Sequence, residues 1–313
     1  MVDIERINTR SRFTKAKLRN ALPLMLMVYP LFLLVLLFSY VPLWGWSIAF
    51  IDYSPGVSIF DHAFVGFKHF ARVFSTGSDF LLALRNTVVL SLLILATMPI
   101  PVIIAILINE QRSTPFKRTI QTMLSFPNFI SWIIVYSLFF SFLSVDDGLI
   151  NVLFLRMGWI DSPSNLLANP NATWPLMTFV FLWKTMGWDV IIYLAALSGI
   201  DQELYQAAMV DGANRLQQTL YITIPGILPT FAVLFILTVG NFLNIGFEQY
   251  FTFHNSLVHE YIEVLDTFIY RIGMQRLNFS VATAVGIFKT VVGVILLLFS
   301  NAVYKKIQGY SLI

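Results

Sequence analysis

The chain has 313 residues, of which 57% are hydrophobic and only 12% charged, with a mean hydropathy of +0.75 and a formal net charge of +3. Soluble globular proteins carry about 25% charged residues, so this composition excludes a soluble enzyme and a disordered chain. The absence of cysteine excludes a disulfide-built secreted domain and thiol redox chemistry. The composition therefore indicates that the solvent of this protein is a lipid bilayer.

Six apolar stretches are long enough to cross a bilayer, because a spanning helix needs about 20 mostly apolar residues. We place them at residues 22–50, 86–108, 120–143, 174–198, 227–247 and 282–303. The sequence thus predicts an all-α membrane protein with six transmembrane helices. A basic tail, residues 1–20, precedes the membrane domain, residues 21–313, and is expected to lie on anionic lipid headgroups.

The basic residues between these stretches are unevenly distributed, and short cytoplasmic loops of membrane proteins are enriched in Lys and Arg. Twelve lie on the side that holds both ends of the chain: Arg6, Arg10, Arg12, Lys15, Lys17, Arg19, Arg112, Lys117, Arg118, Arg215, Lys305 and Lys306. Six lie on the other side: Lys68, Arg72, Arg85, Arg156, Arg271 and Arg276. We therefore predict that both termini are cytoplasmic. The basic residues are not clustered with aromatic ones, and no nucleic-acid binding is expected.

The fourth predicted span carries a charge deep in the membrane. Lys184 follows Thr173 by eleven residues, or about 16 Å at 1.5 Å per residue, which is near the bilayer midplane. A charge at that depth costs several kcal/mol unless it finds partners or water. Trp188, at i+4, is within reach of a cation–π contact. Two interpretations stay open: Lys184 lines a path for a solute, or it forms an interhelical pair that sets the assembly geometry.

Polar residues late in the fifth predicted span extend this candidate path. Asn241, Asn244 and Glu248 follow an i, i+3, i+7 spacing and would share one helix face. The predicted path consists of Trp183, Lys184, Trp188, Asp189, Tyr193, Asn241 and Asn244. Lys289 in the sixth span is expected to snorkel to the membrane interface.

Sequence motifs of nucleotide binding and hydrolysis are absent. There is no G-x-x-x-x-G-K-[ST] loop, no H-E-x-x-H and no G-x-S-x-G. His62, His69, His254 and His259 are scattered through the predicted outer loops. The sequence therefore predicts no catalytic residue, no metal site and no cofactor bound by this chain.

The loop between the fourth and fifth spans, residues 199–226, predicts a helical hairpin. Asp201 can cap a short helix that runs to about Asp211. Gly212 supplies a left-handed turn, and a second short helix runs to about Thr223. Such a hairpin either receives another protein against its small side chains or rests on lipid headgroups as an amphipathic helix.

The hairpin resembles the EAA loop of binding-protein-dependent ABC importer permeases, whose pattern is E-A-A-x3-G-x9-I-x-L-P. The matching residues are Gln206-Ala207-Ala208, then Gly212 after three residues, then Ile222-Thr223-Ile224-Pro225 after nine more. Gln replaces Glu, and Ile replaces the Leu before the proline. The resemblance implies docking of an ATPase subunit through Tyr205, Gln206, Ala207, Ala208, Asp211, Gly212 and Ala213.

Further segments are similar to those of maltose-type sugar permeases, and to the subgroup that imports oligosaccharides and polysaccharide fragments. They are Trp46-Ser47-Ile48-Ala49-Phe50, Gly66-Phe67-Lys68-His69-Phe70, Trp183-Lys184, Gly187-Trp188 and Ile192-Tyr193-Leu194-Ala195-Ala196-Leu197. The resemblance implies alternating access in a prokaryotic plasma membrane, driven by two ATPase subunits that bind ATP and Mg. It also implies a second, different permease (a heterodimer), an extracytoplasmic solute-binding protein and an oligosaccharide substrate, with Trp183 and Trp188 stacking on sugar rings.

Two other functions remain as alternatives. An ion- or proton-coupled secondary transporter would use Lys184 and Asp189 as a relay. A membrane scaffold or sensor subunit would transport nothing.

Overall fold

The computed structural model describes residues 15–75 and 78–309, which are nearly all helical. Within them, the sole extended pairing is an isolated bridge between Ile51 and Phe64. The α-helices are α1 (Lys15–Val35), α2 (Lys68–Ser75), α3 (Ser78–Thr97), α4 (Pro99–Asn109), α5 (Thr114–Ser125), α6 (Trp132–Leu143), α7 (Leu149–Arg156), α8 (Pro170–Ser198), α9 (Gln202–Val210), α10 (Arg215–Gln218), α11 (Ile224–Gly240), α12 (Glu248–Phe253), α13 (His259–Ile262), α14 (Leu265–Tyr270) and α15 (Phe279–Gln308). Arg6, Arg10 and Arg12 of the predicted basic tail lie outside the described residues.

The all-α membrane fold predicted from the sequence is confirmed. Among the residues that the structure describes, five helical stretches are long and apolar enough to span a bilayer: Leu22–Phe50, Asp79–Asn109, Pro170–Ser198, Arg215–Gly240 and Phe279–Lys306. A sixth candidate is a pair of helices, Thr114–Phe129 and Trp132–Leu143, that meet at an angle of 106°. The third predicted span is therefore broken, at a short segment that contains Pro127, and proline is a residue that kinks helices.

The fifth span ends earlier than the predicted residue 247. α11 stops at Gly240, and residues 241–247 form turns and coil before α12 begins at Glu248. The side-chain amide of Asn241 donates to the carbonyl of Leu237 at 3.0 Å, a local bond of the kind that competes with helix propagation. The prediction that Asn241, Asn244 and Glu248 share one helix face is therefore wrong.

Two glycines allow close backbone contacts between helices of the bundle. A Cβ atom placed on Gly187 of α8 would lie 2.0 Å from the carbonyl oxygen of Leu124 on α5. One placed on Gly293 of α15 would lie 2.6 Å from the carbonyl oxygen of Gly240. Since neither backbone can give way as a flexible side chain can, these positions require glycine.

The first span stands apart from this bundle. Its side chains from Leu22 to Trp44 are exposed in the chain by itself, and the helix changes to a π turn at Leu36–Tyr40 and to a 3₁₀ helix at Val41–Phe50. Ala49 and Ile51 are buried where this 3₁₀ helix reaches α15. The apolar length of the span is thus left for lipid or another subunit.

The predicted hairpin between the fourth and fifth spans is present. The Asp201 carboxylate accepts a hydrogen bond from the backbone N–H of Glu203 at 2.9 Å and caps α9. Gly212 adopts a φ of +82° at the turn. Asn214 and Gln217 form a reciprocal capping box that starts α10. A π turn then carries the chain directly into α11, so the hairpin is continuous with the fifth span.

Candidate functional site

Lys184 lies at the break in the third span. Its side chain is buried, and its Nζ donates to three backbone carbonyls, those of Pro127 at 3.1 Å, Asn128 at 3.1 Å and Ile130 at 2.7 Å. Carbonyls at the end of a helix lack intrahelical partners and carry partial negative charge. The ammonium therefore supplies hydrogen bonds to the carbonyls at the break between α5 and α6. This geometry matches the interpretation of Lys184 as an interhelical partner.

The aromatic partner of Lys184 is Trp132, at the start of α6, rather than Trp188. The Nζ lies 5.3 Å from the Trp132 ring centroid. Trp183 packs edge-on against Phe139 of α6, with ring centroids 5.7 Å apart. Both Trp183 and Lys184 thus face the contact between α8 and α6.

Three other members of the predicted path do meet. Trp188, Asp189 and Tyr193 of α8 line a cavity of about 320 Å³ between α3, α4, α8 and α11, to which Thr185 and Thr238 add hydroxyl groups. Trp188 is 53% exposed, and Tyr193 is buried. The cavity thus offers an aromatic face, a carboxylate and hydroxyls within one space.

Asn241 and Asn244 line a second cavity, of about 360 Å³, that adjoins the first and shares Thr238 and Phe181 with it. A third, of about 320 Å³, shares the two asparagines and reaches Lys289. We call these three spaces the cavity row. The cavity row lies along α11 and the turn that follows it. Because α11 ends early, this turn places the side chains of Asn241 and Asn244 in the cavity row.

The charges along the cavity row are unequal. Lys289 forms an ion pair with Asp266 of α14 and a hydrogen bond of 3.3 Å with the side chain of Asn244, and it is only 10% exposed. Its predicted snorkelling is wrong, because α14 folds over α15 and brings a carboxylate to it.

Asp189 has no ion-pair partner within 4.0 Å among residues 15–75 and 78–309. Lys184 and Asp189 therefore do not form a pair, and the row contains one unmatched carboxylate suited to accepting hydrogen bonds from hydroxyl groups.

The hairpin presents a small, exposed surface. Gln206 and Ala207 are exposed, and a Cβ atom placed on Gly212 would meet no atom within 4 Å. Tyr205 holds the hairpin to the fifth span through a 3.0 Å contact between its hydroxyl and that of Thr223. Arg215 joins it to Glu110, between α4 and α5, at 3.2 Å.

Three apolar side chains that the sequence analysis missed lie beside this surface: Leu204, Met209 and Val210, which are 53, 58 and 87% exposed. The signal in the sequence was the presence of apolar residues on both sides of the small side chains of Ala207 and Ala208 in α9. Apolar side chains exposed together on one hairpin mark a surface for another protein or a membrane.

The two segments noted for their likeness to sugar permeases contact each other on the opposite side of the chain from the hairpin in the predicted topology. Lys68 forms an ion pair with Asp52 at 2.6 Å, and His69 Nε2 lies 3.1 Å from the carbonyl oxygen of Ile51. The hydrogen bond from Lys68 holds the pKa of Asp52 below its ordinary value. The rings of Phe50, Phe67 and Phe70 pack together in edge-on and tilted arrangements, with centroids 5.5 to 5.6 Å apart.

Comparison with known proteins gives concordant matches. The family model described as binding-protein-dependent transport system inner membrane component matches residues 97–309. The polygalacturonan/rhamnogalacturonan transport system permease protein YteP of Bacillus subtilis (strain 168) is 44% identical over 284 residues, 90% of this chain and 88% of the relative. Protein LplB of the same organism is 42% identical over 290 residues, 92% of this chain and 90% of the relative.

A solved structure is similar over nearly the whole fold. It is the crystal structure of a bacterial alginate ABC transporter in complex with an alginate pentasaccharide-bound periplasmic protein. One of its chains matches with a TM-score of 0.86 and 34% identity, covering 95% of this chain and 99% of that chain.

Proposed function

The chain belongs to the family of binding-protein-dependent transport system inner membrane components and is a permease subunit of the ABC sugar-importer class, and from this premise we propose that it imports oligosaccharides or polysaccharide fragments by alternating access. In this proposal ATP and Mg bind to two separate ATPase subunits, and an extracytoplasmic solute-binding protein delivers the sugar. The names of the relatives support this substrate class, since they describe a polygalacturonan/rhamnogalacturonan transport system and an alginate ABC transporter.

The observation that carries the proposal is an exposed hairpin whose shape is fixed and which is bonded to the fifth span. Its cap, its turn and the Tyr205–Thr223 contact fix its shape, while Ala207 and Val210 stay uncovered. Because α10 runs directly into α11, a force on the hairpin acts on the helix that lines the cavity row. Closure of the ATPase subunits would thus move the fifth span as a rigid body.

The proposed topology has the hairpin and both termini in the cytoplasm of a prokaryote. The excess of basic residues on that side supports it. The exposed first span and the open cavity row support a second permease, which we propose is a different chain, as the partner that completes the path.

We assign the sugar path to Trp188, Asp189, Tyr193, Asn241 and Asn244. Trp188 would stack on a sugar ring, and the polar groups would bind hydroxyls. Trp183 and Lys184, also predicted as members, would shape the path by fixing α6 against α8.

The test is transport by the assembled importer in proteoliposomes, with an oligogalacturonide as the probe sugar. We expect uptake that requires ATP, the ATPase subunits and the solute-binding protein. Uptake that an ion gradient drives without ATP would overturn the proposal in favour of a secondary carrier.

A hairpin variant separates docking from other roles. Ala207→Trp adds a bulky side chain to the exposed surface, so sugar-stimulated ATP hydrolysis should fall to the basal rate while the two permeases still assemble. Ala207→Ser keeps the surface small and should retain stimulation. Full stimulation in Ala207→Trp would refute docking at this position.

A further inference from the structure

Three potential metal ligands meet in the segment that joins the fifth and sixth spans. His254 follows α12, and His259 and Glu263 begin and follow α13. His254 Nε2 lies 2.9 Å from His259 Nδ1, which lies 3.0 Å from Glu263 Oε2. In the part of the chain that the structure describes, these three ligand atoms all lie within 4.8 Å of one another.

The spacing of the ligand atoms approaches that of a metal site. Zn²⁺ binds histidine nitrogen and carboxylate oxygen at about 2.0–2.2 Å in a tetrahedron, whose ligand atoms are then about 3.3 Å apart. The two separations that involve His259 Nδ1, 2.9 and 3.0 Å, fall slightly short of that edge. The third, between His254 and Glu263, is no more than 4.8 Å. A rotation of the exposed His254 ring would bring the three separations closer to one another and admit the ion.

The buried carboxylate is already oriented by a second residue. Glu263 is 2% exposed, and its Oε1 accepts a 2.8 Å hydrogen bond from Arg271 Nε. Its other oxygen is left to face the imidazoles. Arg271 also binds Asp79, at 3.2 Å, so it is shared between two carboxylates. Such outer partners of a ligand orient it and are a regular part of metal sites.

The formal charges of Asp79, Glu263, Arg271 and Arg276 sum to zero. The attraction for a cation therefore comes from the Glu263 oxygen that lies beside His259.

We propose that His254, His259 and Glu263 bind one divalent transition-metal ion of the Zn²⁺ class, with a fourth position open to water. A ligand set of two imidazole nitrogens and one carboxylate oxygen favours Zn²⁺, because Mg²⁺ and Ca²⁺ prefer oxygen ligands. The ion would tie the end of α12 to α13 and, through Glu263 and Arg271, to α14 and α3. It would thereby clamp the segment whose Asp266 holds Lys289 beside the cavity row.

The test uses the full chain, purified in detergent with a tag that contains no histidine. After treatment with EDTA, it is dialysed against Zn²⁺ and the bound metal is measured by mass spectrometry, with Co²⁺ absorption as a second readout. We expect one Zn²⁺ per chain, a rise in the midpoint of thermal unfolding on adding Zn²⁺, and a visible Co²⁺ band typical of tetrahedral coordination. The chain has no cysteine that could bind the ion instead.

His254→Ala is the decisive variant, because the residue is exposed and its loss should not disturb packing. Removing an outer partner of a ligand weakens metal binding by 10–100-fold, so losing a ligand should weaken it by at least about 100-fold and abolish the thermal shift. His62→Ala removes a histidine outside the cluster and should bind as the unaltered chain does. Glu263→Gln tests the third ligand, with the unfolding midpoint in EDTA reporting whether the variant folds.

Equal Zn²⁺ affinity in the unaltered chain and in His254→Ala would overturn the proposal, as would a lack of binding by the unaltered chain at micromolar Zn²⁺. Weak binding that His62→Ala and His254→Ala reduce equally would also contradict it, because the histidines would then be acting as scattered surface ligands.

Discussion

The Lys184 ammonium lies 2.7 Å from the carbonyl oxygen of Ile130, at the point where the third span bends by 106°. A charge that the sequence places near the membrane midplane is thus used to complete the hydrogen bonding of a broken helix. The bend brings α6 against Trp183 and leaves the next turn of α8, with Trp188 and Asp189, facing a cavity. Lys184 and the cavity row are therefore linked through the geometry of α8.

Replacing Lys184 by Met should destabilise the fold. The substitution keeps the length of the side chain but removes the ammonium from three carbonyls. The Pro127 carbonyl keeps the backbone N–H of Ile130 at 3.4 Å, whereas those of Asn128 and Ile130 lose the donor described above. Each buried unsatisfied acceptor costs about 1–3 kcal/mol, so we expect a loss of about 2 kcal/mol or more, measured as a lower midpoint of thermal unfolding in detergent. Lys117→Met is the matched control, since Lys117 also donates to a carbonyl at a helix end, that of Asn109 at 3.2 Å, but in an exposed position. It should change stability by less than about 0.5 kcal/mol. Equal stability of Lys184→Met and the unaltered chain would contradict the structural role.

Gly187→Ala should separate α8 from α5. The added Cβ would lie 2.0 Å from the Leu124 carbonyl oxygen, so one backbone must move. Overpacking of this kind costs about 1–3 kcal/mol, occasionally more. Gly286→Ala, in α15, meets no atom within 4 Å, and it should gain up to about 1 kcal/mol from helix propensity. The two variants should thus shift the unfolding midpoint in opposite directions, and a rise in both would show that α5 and α8 do not touch as described.

Trp188→Ala should lower sugar uptake without preventing assembly. The residue is 53% exposed at the cavity row, and stacking on an aromatic face contributes about 0.5–1.5 kcal/mol. The expected effect is a fall of up to about tenfold in the rate of ATP-dependent uptake at low sugar concentration. Trp159→Ala, which removes a tryptophan exposed by 68% outside the cavity row, is the control and should transport normally. If purified Trp188→Ala complexes take up sugar at the unaltered rate, the path does not pass this face.

Cysteine labelling tests the proposed topology, because the native chain has no cysteine. Asn171→Cys and Arg112→Cys each place a thiol at an exposed position, on opposite sides of the predicted membrane. A membrane-impermeant maleimide added to intact cells should label position 171 and reach position 112 only after the membrane is opened. The reverse pattern would mean that the topology is inverted.

Much of the fold was predictable because its signals are local. A run of apolar residues predicts a spanning helix. The hairpin was predicted from Asp201 at a helix start and Gly212 at a left-handed turn, and the structure confirms both of these features. The end of the fifth span was misplaced, because hydropathy stays high past Gly240 while the Asn241 side chain bonds back to the helix. The break in the third span has a local signal in Pro127, because proline kinks a helix, but the angle of 106° does not follow from the sequence, since both halves of the span are apolar.

The partners of the polar side chains were decided by the tertiary structure. Sequence alone placed Lys184 deep in the membrane but left its role open between a solute path and an interhelical pair, and its three carbonyl partners lie 54 to 57 residues away. Lys289 finds Asp266, and His254 meets His259 and Glu263, only because α12 to α14 fold over the bundle. The length and apolar content of each segment decide which segments enter the bilayer, since transfer from water depends on each segment's own composition. Which buried polar group meets which depends on how the helices pack, because an unsatisfied group in a low-dielectric interior takes whatever partner the packing brings within reach.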